Sequence, residues 1–130
     1  MAWVKMTDVE TAQGKAKEIL EDLKNKIGFV PNTYKAMAIL PEFLEKVLAL
    51  DKTTFRRDAL DSKTKHLIAF AVSAAMGCEY CVAAHANLAQ RYGATHEEIA
   101  EALATSATIS LYNTYNKAIG LEKDVVPKTD

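Results

Sequence analysis

Apolar residues recur along this chain at helical spacing, with no sustained two-residue alternation. In "ETAQGKAKEILEDLKNKIG", Ala12, Ala16, Ile19, Leu20, Leu23 and Ile27 fall on one face, with Lys and Glu on the other. Thr7, three residues before Glu10, predicts a capping box at the start of this helix, and Gly28 predicts its end. Pro31 restarts a short helix, "PNTYKAMAIL", and Pro41 opens the next, "PEFLEKVLALDKTTF". The breaks "GFVPN" and "LP" read as turns between short helices, and "RRDALD" as a polar link. Asp61 or Ser62 then caps a helix running to about Met76. Gly77 permits a tight turn, and a further helix runs from about Cys78 to Tyr92 with Gly93 at its end. Thr95 and Glu98 form a second capping box, and the last helix runs to about Ile119 before Gly120.

The pattern predicts an all-α fold of about six helices in a single domain spanning residues 1–130. Two segments, 67–76 and 102–112, are apolar on more than one face. A monomer of this size has little room for helices buried all round, so the excess predicts a homo-oligomer whose subunit interface covers it. The tail "LEKDVVPKTD" reads as surface or as a strap across that interface.

Composition narrows the function classes. Sixteen basic and seventeen acidic side chains leave a formal charge of -1, with no basic block, so a nucleic-acid partner is not expected. Leu67 to Met76 is the longest apolar run, far short of the roughly 20 residues that span a membrane. "MAWVKMTDVE" has no apolar stretch of signal-peptide type, which predicts a cytoplasmic protein. No glycine-rich dinucleotide loop is present, so no bound cofactor is expected.

The chemistry concentrates in "MGCEYCVAAHANLA", which holds both cysteines, Cys78 and Cys81, and His85. In a cytosolic chain such a pair is more often catalytic or metal-binding than a structural staple. At a helix start, the free N–H groups and the dipole favour a thiolate, which points to Cys78 as the more acidic thiol. Two intervening residues let the sulfurs approach bonding range, so the pair can cycle between dithiol and disulfide. His85, four residues after Cys81, lies on the same helical face and can accept and return a proton near neutral pH. If the two helices form a hairpin about Gly77, His66 falls opposite positions 85–89 and approaches His85. His66, Cys78, Cys81 and His85 would then also supply four ligands for a structural metal, the alternative to a redox site. His96 reads as a surface residue at the second capping box.

"KTKHLIAFAVSAAMGCEYCVAAHANLAQRYGATHEEIAEAL" resembles the carboxymuconolactone decarboxylase-like superfamily, in the branch typified by alkylhydroperoxidase D, and "GFVPNTYKAMAILPEFLE" is similar to the N-terminal helices of that branch. The resemblance implies an all-helical subunit assembled as trimers, hexamers or related rings. It implies reduction of a hydroperoxide, or exchange with a partner disulfide, by the cysteine pair, with a separate thiol or reductase as electron donor. In that scheme Cys81 attacks the peroxide, Cys78 delivers a proton and resolves the sulfenic acid, and His85 matches the relay histidine. The residue-level reading favours Cys78 for the lower pKa, so the choice of nucleophile stays open. The branch usually carries a glutamate where this chain has His66, and a histidine directly before the second cysteine where this chain has Tyr80. Both departures predict a weaker peroxidase or a different substrate. A histidine at position 66 can pass protons but supplies no fixed negative charge to orient His85. The lactone-decarboxylating relatives generally lack the cysteine pair, which disfavours that activity.

The candidate catalytic residues are therefore Cys78, Cys81, His85 and His66. A metal-binding module on the same four residues, and a scaffold with idle thiols, are the competing readings. Asn113 and Asn116, three apart on the last helix, read as local hydrogen-bonding or interface residues.

Overall fold

The computed structural model describes residues 3–125, 127 and 128. Six helices follow one another: α1 (Gly14–Ile27), α2 (Asn32–Met37), α3 (Pro41–Arg56), α4 (Ser62–Met76), α5 (Glu79–Arg91) and α6 (His96–Ile119). They form two compact units, Met1–Arg57 and Asp58–Asp130, which meet within the polar link "RRDALD".

In the first unit, Leu20 of α1 and Leu44 of α3 are fully buried, with Ala12, Ala16, Leu23, Val30 and Ala38 around them. Burying each of the two leucines contributes about 1.5–3 kcal/mol relative to leaving it in water. Helix α1 starts later than the sequence pattern suggests. Gly14 has a φ of 56°, and the segment before it closes a separate turn in which the Ala12 N–H donates to the Asp8 carbonyl at 2.9 Å. The Thr7 N–H donates to the Lys35 carbonyl at 3.0 Å, so Thr7 and Glu10 form no capping box. Gln13 is the N-cap and makes no side-chain capping bond.

The second unit carries the cysteine motif. Helix α4 is capped by Asp61, whose Oδ1 accepts the Thr64 N–H at 2.7 Å. It ends at Gly77, whose φ of 75° lets the chain reverse directly into α5. Only a residue tolerant of that left-handed conformation fits there without strain. Helix α6 opens on the expected box: the Glu98 N–H donates to Thr95 Oγ1, and the Thr95 N–H donates to Glu98 Oε2. The other oxygen of Glu98 accepts Lys63 Nζ at 2.7 Å, tying the start of α6 to the start of α4. Further along, Ser106 Oγ donates to the Ala71 carbonyl at 2.8 Å. Helix α4 thus packs against both α5 and α6.

Ala16, Leu20 and Leu23 bury one face of α1, but α6 buries no residue along its 24 positions. Leu103, Ile109, Leu111, Tyr112, Tyr115 and Ile119 are all exposed on it. Among the described residues, no helix is long and apolar enough to cross a membrane. Residues 121–125 of the C-terminal tail are exposed and outside helix; Val126, Thr129 and Asp130, which the strap expectation included, lie outside the described residues, as do Met1 and Ala2.

Candidate functional site

Cys78 is the N-cap of α5, a position usually held by an oxygen-bearing side chain. Its sulfur takes the capping role: the Cys81 N–H donates to Cys78 Sγ at 3.2 Å. The two sulfurs are joined in a disulfide, with the Cα atoms 5.3 Å apart. The reversal at Gly77 and the start of α5 bring about this proximity, because three residues at a helix entry place both side chains on one side of the first turn. Both cysteines are half-buried, so a reactant can reach the bond.

One helical turn after Cys81 stands His85, also half-buried. His66, on α4, is only 7% exposed and is the buried polar residue among those described. The hairpin about Gly77 brings the two histidines together as the chain pattern suggests. Their Nδ1 atoms lie 3.2 Å apart, and the rings overlap with centroids 5.4 Å apart and planes 26° from parallel. An Nδ1–Nδ1 hydrogen bond requires one ring to donate and the other to accept. Burial, then the charge of His85, hold the His66 imidazole below its ordinary pKa. Both causes disfavour the imidazolium of His66.

A third ring completes the arrangement. Tyr92 also stacks on His66, with centroids 5.4 Å apart and planes 13° from parallel. His85 and Tyr92 are spaced by seven residues, two helical turns, and both stack on His66 of α4. The sequence pattern gives Tyr92 only as the end of α5; its seven-residue spacing from His85 is the signal that places it on the same side.

The other sequence candidates are part of neither the disulfide nor the histidine pair. His96 is exposed at the start of α6, as expected. Tyr80 is 47% exposed on the first turn of α5. Asn113 and Asn116 are exposed on α6, and the Asn116 carbonyl accepts the Leu121 N–H at 3.1 Å. For the metal alternative, no group of three or more His, Cys, Asp or Glu side chains among the described residues is arranged to hold an ion. The four residues proposed as ligands are instead arranged as a disulfide and a histidine pair.

What the cluster can do chemically follows from its parts. It has a disulfide at a helix N-terminus, where reduction would leave a sulfur able to carry negative charge. It has an imidazole one turn away that can exchange a proton near neutral pH. It has a second imidazole that restricts the first.

Comparison with known proteins agrees with this arrangement. A profile of the "Carboxymuconolactone decarboxylase family" matches residues 41–123, which include both cysteines and both paired histidines. The chain is 40% identical over 81 residues to "Uncharacterized protein 4 in cox locus" of Paracoccus denitrificans, covering 60% of this chain and 73% of that one. It is 31% identical over 84 residues to an uncharacterized protein of Cupriavidus necator, covering 64% and 74% of the two chains. Among solved structures, the alkylhydroperoxidase AhpD core from Rhodospirillum rubrum superposes with a TM-score of 0.85 at 29% identity, covering 95% of each chain.

Proposed function

The chain belongs to the carboxymuconolactone decarboxylase family, and from that premise we propose how its cysteine pair works. It is an AhpD-like thiol-disulfide oxidoreductase: a Cys-x-x-Cys disulfide at the start of a helix, in an all-α AhpD-like fold. The single observation that carries this reading is the Cys78–Cys81 bond at the N-terminus of α5.

Cys78, Cys81, His85 and His66 are the residues to which we assign the chemistry. In the reduced pair, Cys81 attacks one oxygen of a hydroperoxide. The O–O bond breaks, an alcohol leaves with a proton, and Cys81 becomes a sulfenic acid. Cys78 then displaces water from that sulfur and the disulfide forms. The i,i+4 placement of His85 relative to Cys81 supports Cys81 as the attacking thiol, since the imidazole can take its proton. A partner disulfide can replace the hydroperoxide as oxidant by the same two-electron exchange. A separate thiol or reductase returns the pair to the dithiol form, in keeping with a cytoplasmic setting.

The likeness over 95% of this chain supports treating residues 1–130 as a single AhpD-like domain. The unburied apolar positions of α6 support a homo-oligomer, of trimer or hexamer type.

The test uses cumene hydroperoxide as oxidant and dithiothreitol as donor. Wild type is expected to consume the peroxide, while Cys78→Ser and Cys81→Ser fall to the background rate. Cys78→Ser is expected to accumulate a trappable sulfenic acid, and Cys81→Ser is not. Full activity in the double serine variant would sink the reading.

A further inference from the structure

The histidine pair has a property that neither imidazole has alone. Two Nδ1 atoms 3.2 Å apart share one hydrogen. If both rings were charged, both Nδ1 atoms would carry a proton and the contact would turn repulsive. The pair therefore takes up one added proton in this range, and the remaining question is which ring carries it.

Burial decides. His66 is 7% exposed, while His85 is half-buried and closer to the surface of α5. The imidazolium is better solvated at His85, so His66 stays neutral and accepts. The groups on the elements packed against α4 leave this assignment intact. From α5, His85 is the charge acting on His66, and Tyr92 presents a phenol ring. From α6, Glu98 is engaged by Lys63 of α4 at 2.7 Å and by the Thr95 N–H. On α4 itself Lys63 is spent on that ion pair, and Lys65 lies beside His66 in sequence.

We propose that His66 is a positioning residue that stays neutral and accepts the Nδ1–H of His85, so that the pair gains and loses its proton at His85 Nε2. This rests on the cysteine pair being the redox centre. Fixing the hydrogen on Nδ1 selects the tautomer of His85 whose Nε2 has a lone pair, the form that can take a proton from a thiol. Because His66 brings no negative charge, the imidazolium of His85 keeps its full charge beside the reduced cysteines and favours a thiolate there.

The step balances with a small dithiol as reductant. The donor's two thiols supply two electrons and two protons, and its sulfurs join in a new S–S bond. The Cys78–Cys81 bond breaks. One proton goes to a cysteine sulfur and the other to His85 Nε2, leaving one thiol, one thiolate and one imidazolium.

The experiment compares wild type with His66→Asn and His66→Leu. Asn keeps an acceptor close to the position of Nδ1 but does not titrate. Leu keeps apolar packing in the buried site but cannot accept. Two quantities are read on each protein: the rate of disulfide reduction by dithiothreitol across pH 5.5–8.5, and the thiolate absorbance near 240 nm of the reduced form over the same range. The expected result is that His66→Leu slows exchange about tenfold below pH 7 and moves the thiolate midpoint upward, and that His66→Asn recovers most of both. A purely packing role for His66 gives the reverse order, with Leu close to wild type and Asn impaired, and that result would overturn the proposal. Identical profiles in all three proteins would overturn it as well. Failure of the underlying redox reading looks different: wild type itself then shows no dithiothreitol-reducible disulfide, whatever residue 66 is.

Discussion

A histidine held neutral by burial makes the folded state sensitive to mild acid. The His66 imidazole is held below its ordinary pKa of 6.5, chiefly by burial and secondarily by His85. The unfolded chain keeps the ordinary value. As pH falls through about 6.5 the unfolded state binds a proton that the folded state refuses. Stability is lost over that interval and levels off once the folded group also titrates; above it both states are neutral and nothing changes. The carboxylates do not confuse this window. Glu10, Glu45, Asp61 and Glu98 are held below their ordinary values by neighbouring lysines or backbone N–H groups. Their contributions are present above the ordinary carboxylate range and are lost only as pH falls below it. The urea midpoint of oxidised wild type is therefore expected to drop between pH 7.5 and 5.5, and the drop is expected to shrink in His66→Leu. An equal drop in both proteins would place the acid sensitivity away from His66. At this scale the sequence was informative where one helical offset sufficed. His85 follows from its i,i+4 relation to Cys81, and the His66–His85 approach follows from folding two helices about Gly77. Tyr92 escaped because a tyrosine at a helix end has an adequate explanation as a boundary residue. Its stacking on His66 depends on the angle between α4 and α5, which spacing does not encode.

Among the elements, the turn between α4 and α5 controls the geometry of the site. Gly77 has a φ of 75°, and a Cβ built there meets no atom within 4 Å. Any cost of Gly77→Ala is thus backbone strain without steric collision, about 1–2 kcal/mol. Because the strain falls on the residue before Cys78, the variant is expected both to lower the urea midpoint and to slow disulfide formation; a change in neither would show that the turn relaxes freely. The box at the start of α6 offers a control away from the sulfurs. Thr95→Ala removes the acceptor for the Glu98 N–H and is expected to cost about 1 kcal/mol, with exchange kinetics at the disulfide unchanged. These caps also explain why most helix boundaries could be read in advance. Asp61, Thr95 and the terminating glycines act through bonds to residues two to five positions away, and Pro41 through its own fixed φ, all of which a linear pattern contains. The box expected at Thr7 failed for the opposite reason. Its backbone N–H pairs with Lys35, and its neighbour Asp8 pairs with the Lys35 ammonium at 2.8 Å. A partner 28 residues distant outcompetes a local motif and leaves no local trace.

For the molecule as a whole, α6 raises the question of what covers its apolar positions. Leu111 and Tyr115 are 62% and 63% exposed, one helical turn apart, and Ser110 and Thr114 between and beside them are too small to shield them. Contiguous apolar surface of this kind marks an interaction site. The sequence already hinted at it, since 102–112 is apolar on more than one face and no single packing direction can satisfy such a helix. What the pattern could not supply is the number of copies, because that depends on the angle at which one surface meets another. If α6 is covered by other copies of this chain, burying each of the two side chains contributes about 1.5–3 kcal/mol to assembly. Replacing either by glutamate forfeits that contribution and adds the cost of desolvating a charge. Leu111→Glu and Tyr115→Glu are therefore each expected to weaken self-association at least about tenfold. Sedimentation equilibrium over a range of concentrations would show this as a lower average mass with unchanged helical circular dichroism. A wild type that sediments as a monomer at every concentration would remove self-assembly as the explanation of the exposed helix. Persistence of the full assembly in both variants would move the subunit contact to another surface.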